Sequence, residues 1–123
     1  MAVKTHKEFD QYATGFKHSY EIGDVPREPA AFTPVPPPTA DGFSHFTDRM
    51  RDLPGDKSMR SSIVASCITD GDLYKAEGDN RFKFIWTDPV FLRTYILIVE
   101  LREVAFRYGR SKHFAVTVFR FEH

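Results

Sequence analysis

Residues 81–87 read Arg-Phe-Lys-Phe-Ile-Trp-Thr, and this stretch decides the fold class. Phe82, Phe84 and Trp86 fall on every second position, with Arg81 and Lys83 between them. A period of two puts the aromatics on one face of an extended chain and the charges on the other, the pattern of a half-buried strand. Asp88-Pro89 ends it, because proline donates no ladder hydrogen bond. Downstream, residues 94–108 (TYILIVELREVAFRY) are rich in β-branched and aromatic side chains and predict a long, bulged strand. Gly109-Arg110-Ser111 predicts a turn into a further strand over 113–122 (HFAVTVFRFE). Upstream, residues 72–77 form a short first strand that turns at Gly78-Asp79-Asn80. Consecutive strands joined by short turns predict an antiparallel meander of four.

Two helices precede the strands. Residues 44–53 (SHFTDRMRDL) run to a Pro54-Gly55-Asp56 turn, and residues 58–70 (SMRSSIVASCITD) begin at Ser58 as cap and stop at Gly71. The second helix buries Ile63, Val64, Cys67 and Ile68, so Cys67 reads as a small core residue. The expected architecture is α+β: two helices packed on a four-stranded antiparallel sheet, over residues 43–123.

Residues 1–42 read as an N-terminal arm. Thr5 and Glu8 have capping-box spacing. Phe9, Tyr12, Phe16 and Tyr20 follow at steps of three and four, stacking on one stripe of a helix over about 6–20. Residues 24–40 hold six of the eight prolines and read as a semi-rigid spacer. In the last strand, simple alternation puts Ala115, Thr117, Phe119 and Phe121 on one face and Phe114, Val116 and Val118 on the other. Both faces then need a cover. The aromatic arm is the expected cover for the face the helices leave open, in its own chain or by exchange within a homodimer.

A length of 123 residues suits one core. A single cysteine excludes an internal disulfide and fits a reducing compartment. No apolar run approaches a membrane span, and the start MAVKTHKEFDQY has no leader-like stretch, so a cytoplasmic location is expected. The net charge is zero but uneven. Residues 1–42 carry four bases and six acids, a net of −2, whereas residues 81–123 carry eight bases and four acids, a net of +4. A basic half hints at phosphate binding.

His45 is followed four residues later by Arg49, the second helix ends in Asp70-Gly71, and the last strand contains Val116-Thr117-Val118-Phe119. In these features, residues 43–121 resemble a RelE-like toxin family of unassigned function within the barnase–EndoU–colicin–RelE group of RNases. Arg51 stands near the second helix-1 arginine of that pattern. The Pro54-Gly55-Asp56 loop and the proline-rich arm have no counterpart in it. The resemblance implies a metal-independent RNase, checked by an antitoxin protein. Such chemistry needs a base for the 2′-OH proton, cations on the phosphate and a donor for the leaving oxygen. His45 and Arg49 share one helical face, and histidine titrates in the useful range. The candidate catalytic residues are therefore His45, Arg49 and Thr117, and the candidate RNA-binding residues are Arg102, Arg107, Tyr108 and Arg120.

Other chemistries find no pattern. The five histidines lack metal-ligand spacing, and no phosphate loop, serine elbow or paired-cysteine motif is present. No metal and no cofactor are expected. Two further readings keep the same fold: a non-catalytic module that binds nucleic acid or protein, and an assembly protein that dimerises through the arm.

Overall fold

The computed structural model describes residues 20–35, 45–102 and 113–121. Five strands form one mixed sheet: β1 (Phe32–Pro34), β2 (Asp72–Lys75), β3 (Arg81–Thr87), β4 (Thr94–Glu100) and β5 (His113–Phe121), in the spatial order β1-β5-β4-β3-β2. The expected meander is present as β2 to β5, every neighbouring pair antiparallel. The expectation of four antiparallel strands is corrected by β1, which pairs parallel with β5. Among the described residues two α-helices, α1 (His45–Arg51) and α2 (Lys57–Asp70), complete an α+β fold.

Alternation in β3 works as its sequence predicts. Phe82 sits opposite Val99, Phe84 opposite Leu97 and Trp86 opposite Tyr95. Phe82, Phe84, Tyr95, Leu97 and Val99 are all fully buried, and Trp86 stacks on Tyr95 with ring centroids 6.0 Å apart. Against this face α2 lays Ile63, Cys67 and Ile68, with Val64 half-buried, and α1 lays Phe46. The cap of α2 is Asp56 rather than the expected Ser58, because the Asp56 carboxylate accepts the Met59 amide at 2.8 Å. Gly71 ends α2 by close approach: a Cβ there would lie 2.4 Å from the Cys67 carbonyl oxygen, whose bond from the Gly71 amide closes the helix.

In β5 a bulge overturns simple alternation. Ile98 faces Thr117 while the next residue, Val99, faces Ala115, so Val116 is supernumerary. Ala115 and Val118 consequently share the inner face with Val99 and Leu97, although the expected grouping set them on opposite faces. Thr117 and Phe119 point to the outer face beside Ile98 and Ile96. That outer face also carries Arg81, Lys83, Ile85 and Glu100, all half-buried, while Phe119 is 40% exposed.

The described part of the proline-rich segment is packed rather than a spacer. Val25, just before Pro26, and Phe32, between Pro29 and Pro34, are both buried in the common core. Two 3-10 turns, Ile22–Asp24 and Pro29–Ala31, carry the chain into β1, and the Val35 amide extends the pairing to the Ala115 carbonyl at 2.9 Å. The Arg27 guanidinium donates to the Gly71 carbonyl and lies 5.2 Å over the Phe84 ring, while Phe32 meets that ring edge-on at 6.2 Å. Residues 20–35 therefore share one core with residues 45–102. Of the expected helix over about 6–20, only Tyr20 is among the described residues, and residues 36–40 of the expected spacer also lie outside them.

Of the strand expected over 94–108, β4 covers Thr94–Glu100, Leu101 and Arg102 lie outside it, and residues 103–108 are not among the described residues. Beyond it the Leu101 amide bonds the Asn80 carbonyl and the Arg102 amide bonds the His113 ring, so the backbone has left the ladder.

Candidate functional surfaces

Helix α1 holds His45 and Arg49. Phe46, buried at 5% exposure, turns the helix onto the inner face of the sheet, which leaves His45 and Arg49 in solvent. Arg49 lies 3.6 Å from Asp52 and Arg51 lies 3.8 Å from Asp48, both pairs well exposed and hence weak. Thr117 sits opposite Ile98 on the outer face. The sheet itself separates it from α1, so His45, Arg49 and Thr117 do not line one cleft.

The other candidates are dispersed as well. Arg102 lies 3.6 Å from Glu100 and 5.3 Å over the Phe114 ring. The same Glu100 also holds Arg81 at 3.3 Å, so one carboxylate is shared by two guanidinium groups. Arg120 is exposed and in register with Tyr95 on the helix-side face. Arg107 and Tyr108 lie outside the described residues. Among the described candidates, His45 and Arg49 stand four residues apart on α1, both exposed.

Two reactive groups, Cys67 fully buried and His113 half-buried, serve structure. Burial pushes the Cys67 thiol up to about 12, which keeps it protonated and inert. Burial also holds His113 below the usual imidazole range. His113 packs against Tyr20 (6.1 Å) and Phe32 (5.9 Å), and its Nδ1 accepts the Arg102 amide at 2.9 Å. An accepting Nδ1 requires the neutral ring with its proton on Nε2. His113 thus pins together the end of β4, the start of β5, β1 and Tyr20.

Among the described residues no cluster of histidine, cysteine or acidic side chains is placed to hold a metal ion. No described helix is long and apolar enough to cross a membrane.

A surface that sequence reasoning passed over lies at the β3–β4 turn. Val90, Phe91 and Leu92 are 76%, 58% and 73% exposed. The turn is nevertheless tightly built. Asp88, itself buried, accepts the Val90 and Phe91 amides on one carboxylate oxygen, at 2.8 and 3.4 Å. The Leu92 amide returns to the Asp88 carbonyl and the Asp88 amide to the Arg93 carbonyl, each at 2.8 Å. Below the turn the Thr87 and Thr94 hydroxyls meet at 2.9 Å, and above it the Arg93 guanidinium lies 5.4 Å over the Phe91 ring. Leu92 closes the turn at φ +56°. A left-handed backbone at a non-glycine residue costs about 1–2 kcal/mol, and glycine or asparagine is the usual occupant. The signal was in the sequence: three consecutive apolar residues directly after Asp-Pro, belonging to neither strand pattern.

No family model matches the chain, and neither a curated protein nor a solved structure is similar to it.

Proposed function

We propose that this chain is a non-catalytic protein-binding module. The observation that carries the reading is the Val90-Phe91-Leu92 turn, which holds three apolar side chains in water on a backbone fixed by four hydrogen bonds. Exposed apolar surface of this kind marks interaction sites rather than chemistry. Beside it the outer sheet face continues the apolar character through Ile96 and Phe119. Partners are proteins, recognised by burial of these side chains.

The RNase reading rests on the resemblance and on His45 and Arg49, which remain together on an exposed helix. In that reading the partners are RNA and an antitoxin, and the location is cytoplasmic. Incubation of purified protein with total RNA in EDTA separates the two. The binding-module reading expects intact RNA at every enzyme concentration. Cleavage that falls by at least ~100-fold in both His45→Ala and Arg49→Ala, the scale of a lost acid–base group, with unchanged melting, would replace it with the nuclease.

A further inference from the structure

We propose that His113 is a proton-operated latch, and that a second proton on its ring releases residues 20–35 from the edge of the sheet. The inference is independent of the Val90–Leu92 turn and of what binds there.

The latch is a matter of geometry. The His113 ring stands where three segments meet. Its Nδ1 accepts the Arg102 amide at 2.9 Å, beyond the last β4–β5 pair, Glu100 with Phe114. Phe32 is in register with His113 and packs on it at 5.9 Å, while Tyr20 meets the ring edge-on at 6.1 Å. Tyr20 and Phe32 lie near the two ends of residues 20–35, so one ring clasps both.

The rest of the grip on this segment is limited. Its ladder with β5 is three pairs long, and Pro34 in the third donates no hydrogen bond. Val25 and Phe32 add core contacts, and Arg27 bonds the Gly71 carbonyl. Strands β2 to β5 meanwhile pair with one another without residues 20–35. The segment can therefore open as a unit while the meander stays, and the opened state bares the β5 edge.

Only the neutral ring closes the latch. A charged imidazole carries N–H on both nitrogens and accepts nothing, so two donors would face each other at Arg102. Desolvation also disfavours the charge.

Among the described residues, no neighbouring element offers the charged ring an unshared carboxylate. At the end of β4, Glu100 is already shared by Arg81 and Arg102. The three residues of β1 carry no charge. Beside Tyr20, the Asp24 carboxylate accepts the Glu21 amide at 2.8 Å, and both acids stand in solvent. The β2–β3 turn presents the neutral Asn80 to the Tyr20 amide, with Asp79 exposed. Arg120 of β5 lies at the far end of that strand, opposite Tyr95. On α1, which packs on β5, His45 is exposed, and Arg49 and Arg51 pair with Asp52 and Asp48 in solvent.

Amide hydrogen exchange on the full chain, from about pH 7.5 to about pH 4.5 and corrected for intrinsic rates, tests this. The Tyr20 and Val35 amides, bonded to Asn80 and to the Ala115 carbonyl, report the segment. They should be less protected than the amides of β3 and β4 at every pH. Their protection should fall by up to tenfold per pH unit below about 6.5, the limit for one linked proton. The fall should coincide with the titration of the His113 ring, followed by NMR in the wild type. His113→Asn, which keeps an acceptor and cannot titrate, should make the protection independent of pH. Protection that stays constant through the His113 titration overturns the proposal. So does protection equal to that of β3 and β4, since the segment would then open only with the whole fold. The wild-type measurements decide the matter even where His113→Asn does not fold.

Discussion

The two turns that bracket β3 meet the same geometric demand with opposite chemistry. Each reverses an antiparallel pair, and each contains backbone at positive φ. In the β2–β3 turn those residues are Gly78 (+109°) and Asn80 (+58°), types that tolerate the conformation. Lys75 gathers the Ala76, Gly78 and Arg81 carbonyls at 2.8–3.0 Å, while its own ammonium lies over the Phe82 ring. Asn80 then binds outward, to the Tyr20 amide through its side chain and to the Leu101 amide through its carbonyl. In the β3–β4 turn the positive φ falls on Leu92, and the hydrogen bonds of Asp88 run within the turn itself. One turn is a junction of the fold. The other is a rigid platform whose side chains face away from it.

That contrast can be broken by substitution. The largest effect should come from Gly78→Val, at about 2–3 kcal/mol lost in chemical denaturation, because φ +109° is barred to a branched side chain. The added Cβ would also press on the Arg81 side chain at 2.9 Å. A loss below about 1 kcal/mol would make the two turns equally permissive and remove the distinction.

Next comes Asp88→Ala, expected to cost about 1–2 kcal/mol through the two amides left without their acceptor. Asp88→Asn keeps an acceptor oxygen and should recover most of that. If both variants melt like the wild type, the β3–β4 turn is not held by Asp88 and its preorganisation fails.

The smallest effect should appear only at the junction end, on acidification. His113 titrates below its ordinary value when folded, because burial disfavours the charged ring. Between the folded value and about 6.5 the unfolded chain binds the extra proton, so stability is full above about 6.5 and declines as pH falls below it. His113→Asn, whose amide oxygen can accept the Arg102 amide, should flatten that decline. Parallel denaturation curves for the two proteins across this range would exclude His113 as its source.

The legible parts of the fold were those fixed by local period. β3 was readable to the residue because its aromatics and charges alternate, and the buried side of α2 because Ile63, Cys67 and Ile68 recur at helical spacing. β1 was not readable. Its three residues, Phe32, Thr33 and Pro34, have no periodicity and gain their ladder only from a strand far along the chain. Nor was the bulge at Val116, since either parity of β5 is apolar and only the pairing with β4 decides between them. The candidate site inherited that limit. His45 and Arg49 were related by helix geometry alone, so their shared exposure could be read directly. Whether Thr117 joined them depended on the face the helices cover, a tertiary fact absent from any local window.

The parallel pairing of β1 with β5 also bears on how the chain reaches its structure. Relative contact order rises when the partners of a ladder are distant in sequence, and folding slows accordingly. Here the local hairpins β2–β3 and β3–β4 have all their partners at hand, while Phe32 must wait for His113 and Thr33 for Phe114. Until β5 forms and takes up β1, the Phe32–Pro34 segment has no ladder partner, and a β5 that forms without it presents open backbone to other chains. A ribosome has made the whole helix pair and three hairpin strands before the residues that receive β1 exist. During that interval the unpaired Phe32 segment is a target for chaperone capture or misassociation, and the same edge that completes the sheet is the one most exposed to error while it forms.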